Sequence, residues 1–239
     1  MKKVTQATIA LLMGITLFSS CAKDQPYMNG GKTITSDRNI DTNYTGLIAE
    51  GAFDIQFVED QNYELRIVCP QNKLSYITTT VNNGVLYITE QNNNVNSRGP
   101  LTIYVNKSEL ESLINDGSGN ITGSIHSSNS MNIELHGSGN FTLDVMAPET
   151  TYLWIDGAGN IELDGESTNL NITIDGSGNI NALSFPVDNC FVGIEGSGNA
   201  LVNVSNSLNV DISGSGNVEY LGDPSLQINI TGSGEVKQH

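Results

Sequence analysis

The chain has 239 residues and a formal net charge of −16, with 10 Lys and Arg against 26 Asp and Glu. Hydrophobic residues make up 38% of it and aromatic residues only 6%, which is low for a globular core but enough for the thin apolar column inside a repeat protein. This acidic balance, without a basic patch, excludes nucleic acid as a partner because the phosphates would be repelled.

The first 20 residues predict a lipoprotein signal peptide. Residues 1–3 are a basic start, and residues 9–18 form an apolar segment too short to span a bilayer. The segment ends with Ser20 directly before Cys21 and so resembles the bacterial lipoprotein signal. That resemblance implies cleavage before Cys21, acylation of Cys21, and attachment to the membrane through the N-terminal lipid. An ordinary secretory signal is the alternative.

Residues 21–37 predict a flexible tether between the lipid and the folded domain, since they are polar and contain Pro26 and Gly30-Gly31. Loss of Lys2 and Lys3 with the signal peptide would bring the net charge to −18 (−16 − 2). The expected location is the cell envelope, lipid-anchored in the outer membrane, and the sequence leaves the periplasmic and surface faces both open.

Residues 40–105 alternate as strands do but lack a clean repeat. Residues 46–55 resemble a degraded repeat, with Gly51-Ala52 at its turn. Further strands are predicted at residues 63–68, 77–81, 85–89 and 101–105. Asn83-Gly84 predicts a hairpin turn, because this pair tolerates positive φ. We expect this part to cap a solenoid, whose open end presents unpaired backbone groups.

From about residue 113 one motif, typically Gly-Ser-Gly-Asn, recurs every 18 to 20 residues. Its first glycines are Gly117, Gly137, Gly157, Gly176, Gly196, Gly214 and Gly232. A constant period of this length indicates a solenoid. Apolar residues alternate with polar ones on both sides of the glycines, which indicates strand, turn and strand. The sequence therefore predicts an all-β parallel β-helix with one coil per repeat, and leaves open how many sheets each coil contributes to.

These repeats behind a lipoprotein signal resemble the head GIN domain family, which is named for auto-transporter adhesins and is common in gut Bacteroidetes. The resemblance covers residues 38–239 and implies a single domain with a right-handed parallel β-helix related in shape to pectin lyases. A right-handed coil is also the general preference of parallel crossovers. No functional residues come with the resemblance.

Six asparagines share one position after the glycines: Asn120, Asn140, Asn160, Asn179, Asn199 and Asn217. Coils stack about 4.8 Å apart, so these side chains predict a ladder in which each amide donates to the next carbonyl. If the amides are buried, removing one should cost on the order of 1–2 kcal/mol. The predicted role is structural.

Three carboxylates, Asp156, Asp175 and Glu195, directly precede the first glycine in successive coils. The motif Asp-Gly-Ser-Gly-Asn imitates the first, third and fifth ligands of a calcium loop. Its sixth position is Ile or Phe instead of Gly, and no Glu stands at the twelfth. We therefore expect a solvated acidic face without a cofactor, and a calcium site is the alternative.

Cys69 and Cys190 lie before and inside the repeats, too many coils apart for a disulfide, and are expected to be buried as small hydrophobic residues. The last repeat carries Glu235, Lys237 and His239, charges that we expect to discourage end-to-end stacking.

No catalytic arrangement stands out. His126, His136 and His239 are isolated in the sequence, and Lys237 is the only Lys or Arg after Gly117. A pectin-lyase-like enzyme would need a cationic base among clustered acids. The sequence therefore predicts a protein that is not an enzyme.

Two classes of function stay open. The first is a surface adhesion module that contacts a glycan or a protein, and the second is a structural or accessory envelope lipoprotein without a ligand. A pectin-lyase-like polysaccharide-active protein is a less favoured third. Tyr152 and Trp154 favour the first class, because Trp154 lies between the inward Leu153 and Ile155 and should face outward, where a sugar could stack on it. The ligand and the oligomeric state stay open.

Overall fold

The computed structural model describes residues 31–59, 62–91 and 99–239. The predicted signal peptide, Cys21 and residues 21–30 of the predicted tether lie outside them. The tether prediction was wrong for residues 33–37, which belong to a strand, Thr33–Arg38. Within the described ranges, no helix is long and apolar enough to cross a membrane.

The described chain is almost entirely β-structure. In chain order, β1 to β9 are Thr33–Arg38, Gly46–Glu50, Asp54–Phe57, Leu65–Pro70, Ile77–Asn82, Val85–Glu90, Thr102–Val105, Ser112–Asn115 and Ile121–His126. Strands β10 to β17 are Met131–Gly137, Asn140–Gly157, Asn160–Gly176, Asn179–Gly196, Asn199–Gly214, Asn217–Leu221, Ser225–Gly232 and Glu235–Gln238. A three-residue 3-10 helix, Leu74–Tyr76, is the one helical element among these residues.

From β10 onward each coil pairs in parallel with the next, so that Phe141 lies opposite Ile161 and Ile161 opposite Ile180. The predicted parallel β-solenoid is confirmed. Its long strands bend where the register shifts, between Ala147 and Thr150 and between Ala182 and Pro186. Prolines occupy these bends because they cannot donate to a central ladder.

Two sheets matter for function, and they meet at the glycine turn. The strand segments that lead into the glycines, such as residues 169–176, form the sheet that we call the entry sheet. Those that leave the glycines, such as residues 160–164, form the exit sheet. Alternate side chains point inward, and Ile172 and Ile174 are fully buried in one continuous apolar column. This column is the core.

Both glycines of the motif are required by close stacking. At Gly176, φ is +130°, and a Cβ would lie 2.4 Å from the carbonyl oxygen of Gly157 in the preceding coil. At Gly178 a Cβ would lie 2.5 Å from the carbonyl oxygen of Gly159. A side chain at either position would push neighbouring coils apart, which explains the periodic glycines.

The N-terminal part is also built of coils, but their order in space differs from their order in the chain. Strands β2 and β3 form a coil that lies parallel to β8 and β9, with Leu47 opposite Leu113 and Ile55 opposite Ile121. The degraded repeat at residues 46–55 is therefore a true coil. On its other side lie β6 and β7, which come later in the chain and form the outermost coil.

Antiparallel strands close this end, as the sequence predicted. Strand β5 pairs with β6, β4 pairs with β7, and β1 pairs with β4. The hairpin of β5 and β6 turns at Asn83 and Gly84, whose φ values are 51° and 76°. The turn residues thus adopt the left-handed conformation that Asn-Gly favours.

An ion pair ties the cap to the first glycine turn. The Nζ of Lys73 contacts Oε1 of Glu90, whose side chain is buried, and the amide of Ala52 donates to the other Glu90 oxygen at 3.2 Å. A buried carboxylate needs such partners, because its transfer from water is costly. The pair therefore links β6 to the turn between β2 and β3.

The C-terminal end is different. Strands β16 and β17 form the last coil, with Leu226, Ile228 and Ile230 in register with the buried residues of β14. Among the described residues no further coil covers them, and they are exposed. Lys237 and His239 both pair with Glu219 on the exit sheet, at 2.9 and 3.0 Å. The charges expected to discourage end-to-end stacking, Glu235, Lys237 and His239, lie on β17 and directly after it, whereas β16 carries none.

Cys69 and Cys190 are both free and buried, as predicted. Burial raises the pKa of the Cys190 thiol to about 12 and also raises that of Cys69. Both thiols therefore stay protonated and act as small apolar side chains.

Candidate functional site

The asparagines after the glycines form a continuous ladder on the outside of the turn. Each Nδ2 donates to the Oδ1 of the asparagine one coil earlier, from Asn140 to Asn120 through Asn217 to Asn199, at 2.8 to 3.0 Å. Asn120 donates in turn to Asp54 at 3.1 Å, and the amide of Glu235 donates to Asn217 at 3.1 Å. The ladder thus joins the coils from β3 to β17.

The expectation that these amides are buried was wrong. The ladder lies on the surface, and Asn160 and Asn179 are exposed. The inward position beside each of them is occupied by a buried glycine, Gly159 or Gly178. Each rung therefore competes with water, so its net contribution falls toward the lower end of the usual range for hydrogen bonds.

A second ladder runs along the opposite end of the entry strands. Asn169 donates to the carbonyl of Glu149 at 3.0 Å, Asn189 donates to Asn169 at 3.0 Å, and Asn206 donates to Asn189 at 2.9 Å. Sequence reasoning missed this ladder. The spacing of these asparagines, 20 and 17 residues, was the signal that could have revealed it. The two ladders bound the entry sheet at both ends of its strands.

The outer surface of the entry sheet, which we call the entry face, carries the exposed aromatic side chains. Tyr152 and Trp154 point outward from β11, as predicted for Trp154, and are among the exposed large side chains of the described chain. Phe191 lies in the column of Tyr152, two coils further on, with Asn171 between them. The entry face thus presents three aromatic rings on neighbouring parallel strands.

Neighbouring side chains hold the indole of Trp154 in place. Its Nε1 donates to Oδ2 of Asp175 at 3.1 Å. The imidazole of His136 meets the indole edge to face, with ring centres 5.1 Å apart and planes at 70°. Nε2 of His136 lies 3.1 Å from Oε2 of Glu134. These contacts fix the orientation of the indole, and Trp154 remains 38% exposed.

A depression lies beside these rings on the same face. The ring of Phe191 lies against Gly193, where a Cβ would come within 3.2 Å of it, and Gly193 also lines the depression. The depression has a volume of about 380 Å³. Its lining includes Thr173, Asp175, Phe191, Glu195, Asp211 and Ser213. It therefore combines one aromatic wall with carboxylates and hydroxyls, the groups that bind polyhydroxylated ligands.

The predicted acidic column lies in register on the entry face. Asp156 is opposite Asp175, and Asp175 is opposite Glu195, with His136 before them and Ser213 after them. Within residues 31–59, 62–91 and 99–239, no three His, Cys, Asp or Glu side chains are grouped so that they could hold a metal ion. One oxygen of Asp175 is already used by Trp154. The column can accept hydrogen bonds from donors on a ligand.

A larger groove than this depression lies at the corner where the long strands bend, and we call it the corner groove. Its volume is about 610 Å³, and its lining includes Met146, Pro148, Glu166, Ser167, Pro186 and Asp188. Met146 is exposed, whereas Oγ of Ser167 is buried without a hydrogen-bond partner. Sequence reasoning missed this groove, although prolines recurring at the bends marked its position.

The three histidines lie apart from one another. His126 lines the corner groove, His136 packs against Trp154, and His239 pairs with Glu219. In the described chain, none of these imidazoles hydrogen-bonds to a hydroxyl or a thiol side chain. None of the three therefore forms the pair of base and nucleophile that covalent catalysis requires.

Comparison with known proteins gives one family match. The model of the family described as "Putative auto-transporter adhesin, head GIN domain" matches residues 43–224. No curated protein matches the chain significantly.

Several solved structures share the fold. A "putative adhesin" from Bacteroides fragilis is 20% identical, with a TM-score of 0.73 over 87% of this chain and 97% of that one. A "putative adhesin" from Parabacteroides distasonis is 20% identical, with a TM-score of 0.68 over 87% and 98%. A "Putative lipid binding protein" from the same species is 23% identical, with a TM-score of 0.65 over 88% and 98%. At these identities the likeness concerns the fold alone.

Proposed function

The chain belongs to the head GIN domain family, and on that premise we propose that it is a non-enzymatic adhesion module of the cell envelope that binds glycans through its entry face. The observation that carries the proposal is the fixed, exposed indole of Trp154 beside the depression at Gly193. Sugar rings expose apolar C–H faces that stack on aromatic surfaces, while their hydroxyls donate to carboxylates.

The rigidity of the face supports binding. Trp154 is held by Asp175 and His136, and the two asparagine ladders bound the sheet beneath it. Little side-chain freedom remains to be lost when a ligand docks, so even a small contact area can give measurable affinity.

The charge of the face sets the class of glycan. Outward positions of the entry sheet carry Glu134, Asp156, Asp175, Glu195 and Asp211. In a chain of net charge −16, these carboxylates repel sulfated or uronic-acid polymers and favour neutral or amino sugars. The acids also supply acceptors for hydroxyl and ammonium donors.

Attachment through Cys21 remains part of the proposal, and the signal pattern before Cys21 supports it. Strand β1, the first described strand, belongs to the antiparallel cap at the N-terminal end. An anchored chain would therefore hold the cap near the membrane and project the later coils away from it. The entry face would then be accessible from the side.

A second candidate is an apolar ligand in the corner groove. Met146, Pro148 and Pro186 give that groove an apolar lining, and one structure with the same fold is named a lipid binding protein. The remaining alternative, an accessory lipoprotein without a ligand, predicts that both surfaces stay empty.

A glycan array probed with the purified protein tests the proposal. We expect neutral or amino-sugar glycans to bind, Trp154→Ala to abolish this binding, and Met146→Ala in the corner groove to leave it unchanged. Trp154 is the only tryptophan, so its fluorescence reports directly on the site during titration. Absence of any glycan signal, or equal loss in both variants, would contradict the proposal. Loss in Met146→Ala alone would favour the corner groove.

A further inference from the structure

The last coil exposes residues that belong to the core. Leu226, Ile228 and Ile230 occupy the inward positions of β16, in register with Leu208, Val210 and Ile212 of β14, which are buried. They are 45%, 42% and 37% exposed. These side chains continue the apolar column of the solenoid, and the column ends open.

The backbone of β16 is open as well. This eight-residue strand pairs with β14 along one edge, and every one of its residues is exposed. Natural edge strands are usually protected by charge, proline, a bulge or a cover. Strand β16 has neither charge nor proline, whereas the edge at the other end of the solenoid is covered by antiparallel strands.

The distribution of charge indicates that the molecule binding at β16 is a second copy of this chain. Each entry strand from β10 to β14 carries an outward carboxylate, and β16 carries only Ser225, Gln227, Asn229 and Thr231 outward. Copies of a chain with net charge −16 repel one another over most of their surface. In the last coil the charges of Glu235 and Lys237 lie on β17, where Lys237 pairs with Glu219, so the uncharged strand β16 is the part at which two copies can approach without that cost.

We propose that two copies of this chain associate end to end, with β16 of one copy pairing antiparallel with β16 of the other about a twofold axis. Such an interface is self-complementary, as closed dimers require. With Ile228 at the axis, Leu226 lies opposite Ile230 of the second copy. All three apolar residues then face inward, so the two cores join into one column, and Gln227 lies opposite Asn229 outside.

The contact is the end of a single coil, smaller than the roughly 800 Å² per partner of a standard stable interface, so the dimer should be reversible. If the chain is anchored through Cys21, as proposed above, the two lipids lie at opposite ends of the dimer. Pairing would then join copies on opposed membranes. The dimer itself does not depend on that anchor or on glycan binding.

Sedimentation over a range from about 1 to 200 μM, where a small interface should dissociate, tests the association. We expect the unmodified chain to shift from monomer to dimer and Ile228→Lys to remain a monomer. Met146→Lys is the matched control, because Met146 is also exposed, at 45%, but lies on the side of the solenoid. Circular dichroism establishes that both variants are folded. A monomer at all concentrations, or equal weakening by both substitutions, would overturn the proposal.

A cysteine at the axis tests the geometry in a chain with Cys21 replaced by alanine. Residues directly opposite in an antiparallel pair have Cα atoms about 4.5 to 5.5 Å apart, within the range of a disulfide. Ile228→Cys should therefore form a covalent dimer under mild oxidation. Met146→Cys should not, and the buried Cys69 and Cys190 should stay unreacted. Crosslinking of the control to the same extent, or none at Ile228→Cys, would contradict this pairing.

Discussion

The two ends of the solenoid differ in whether other strands cover their outermost coil. At the N-terminal end, antiparallel strands cover the outermost coil, formed by β6 and β7, and a buried ion pair fastens them. At the C-terminal end, the outermost strand β16 is uncovered and uncharged. A stack of coils has two open faces, so each must be closed by its own chain or offered to another molecule.

The largest expected effect comes from truncating the same kind of residue at both ends. Ile88, in the outermost N-terminal coil, is fully buried, whereas Ile228 in the outermost C-terminal coil is exposed. We expect Ile88→Ala to lower the free energy of unfolding by about 3 kcal/mol, within the usual range for buried Ile, and Ile228→Ala by less than about 1. Urea denaturation at low protein concentration measures both. Equal losses would mean that the two ends are covered alike.

The next effect concerns the ion pairs at the two ends. Lys73→Met leaves the buried Glu90 carboxylate without its cation and should cost about 2 kcal/mol, less than a fully buried pair because Lys73 is partly exposed. Lys237→Met removes an exposed partner of Glu219 and should change stability hardly at all. Denaturant midpoints of the two variants compare the ends directly. A larger loss for Lys237→Met would reverse the comparison.

A smaller effect on the free energy of unfolding is expected in the asparagine ladder, which lies between the two ends of the solenoid. Asn179→Ala removes the bonds to Asn160 and Asn199, and because these amides are exposed we expect a loss of about 0.5 to 1 kcal/mol. Thr173→Ala is the control, because Thr173 is also exposed but lies on the entry sheet and outside the ladder. An unchanged midpoint would show that water replaces the rungs completely.

The smallest effect is the response of the C-terminal end to acid. Hydrogen bonds from His239 and Lys237 hold the pKa of Glu219 below its ordinary value of 4.5. A carboxyl group with a depressed pKa stabilises the fold above its ordinary pKa, and this contribution is lost as the pH falls through the folded value. We therefore expect Glu219→Gln to reduce slightly the loss of stability below about pH 4.5, measured from melting temperatures in matched salt. The same acid sensitivity in both proteins would contradict this assignment.

Prediction from the sequence succeeded where a feature depends on neighbouring residues. The hairpin at Asn83-Gly84 and the coil at residues 46–55 were both visible in turn residues and alternation. It failed where the burial of a side chain depends on whether another coil covers its strand. The exposure of Ile228 was not visible, because the same alternation describes a covered strand and an uncovered one. The outward position of Asn179, in contrast, follows from the buried Gly178 and Ile180 on either side of it.

In the candidate site, too, some features followed from neighbouring residues and others only from the tertiary structure. That Trp154 faces outward followed from the inward Leu153 and Ile155 beside it. That Asp175 accepts its Nε1 and His136 packs against its ring depends on the register between coils, which brings together residues about 20 positions apart. The depression at Gly193 needs Phe191 and the neighbouring coils to define its walls.

The sequence by itself determined the repeat, the glycine turn and the parallel stacking, because period, turn chemistry and alternation are local properties. Only the tertiary structure decided that β6 and β7 lie outside β2 and β3, since that order depends on which distant strands pair with the lowest free energy. It also decided which antiparallel strands close the N-terminal end and that β16 is left open, because these arrangements depend on contacts between segments that no local pattern encodes.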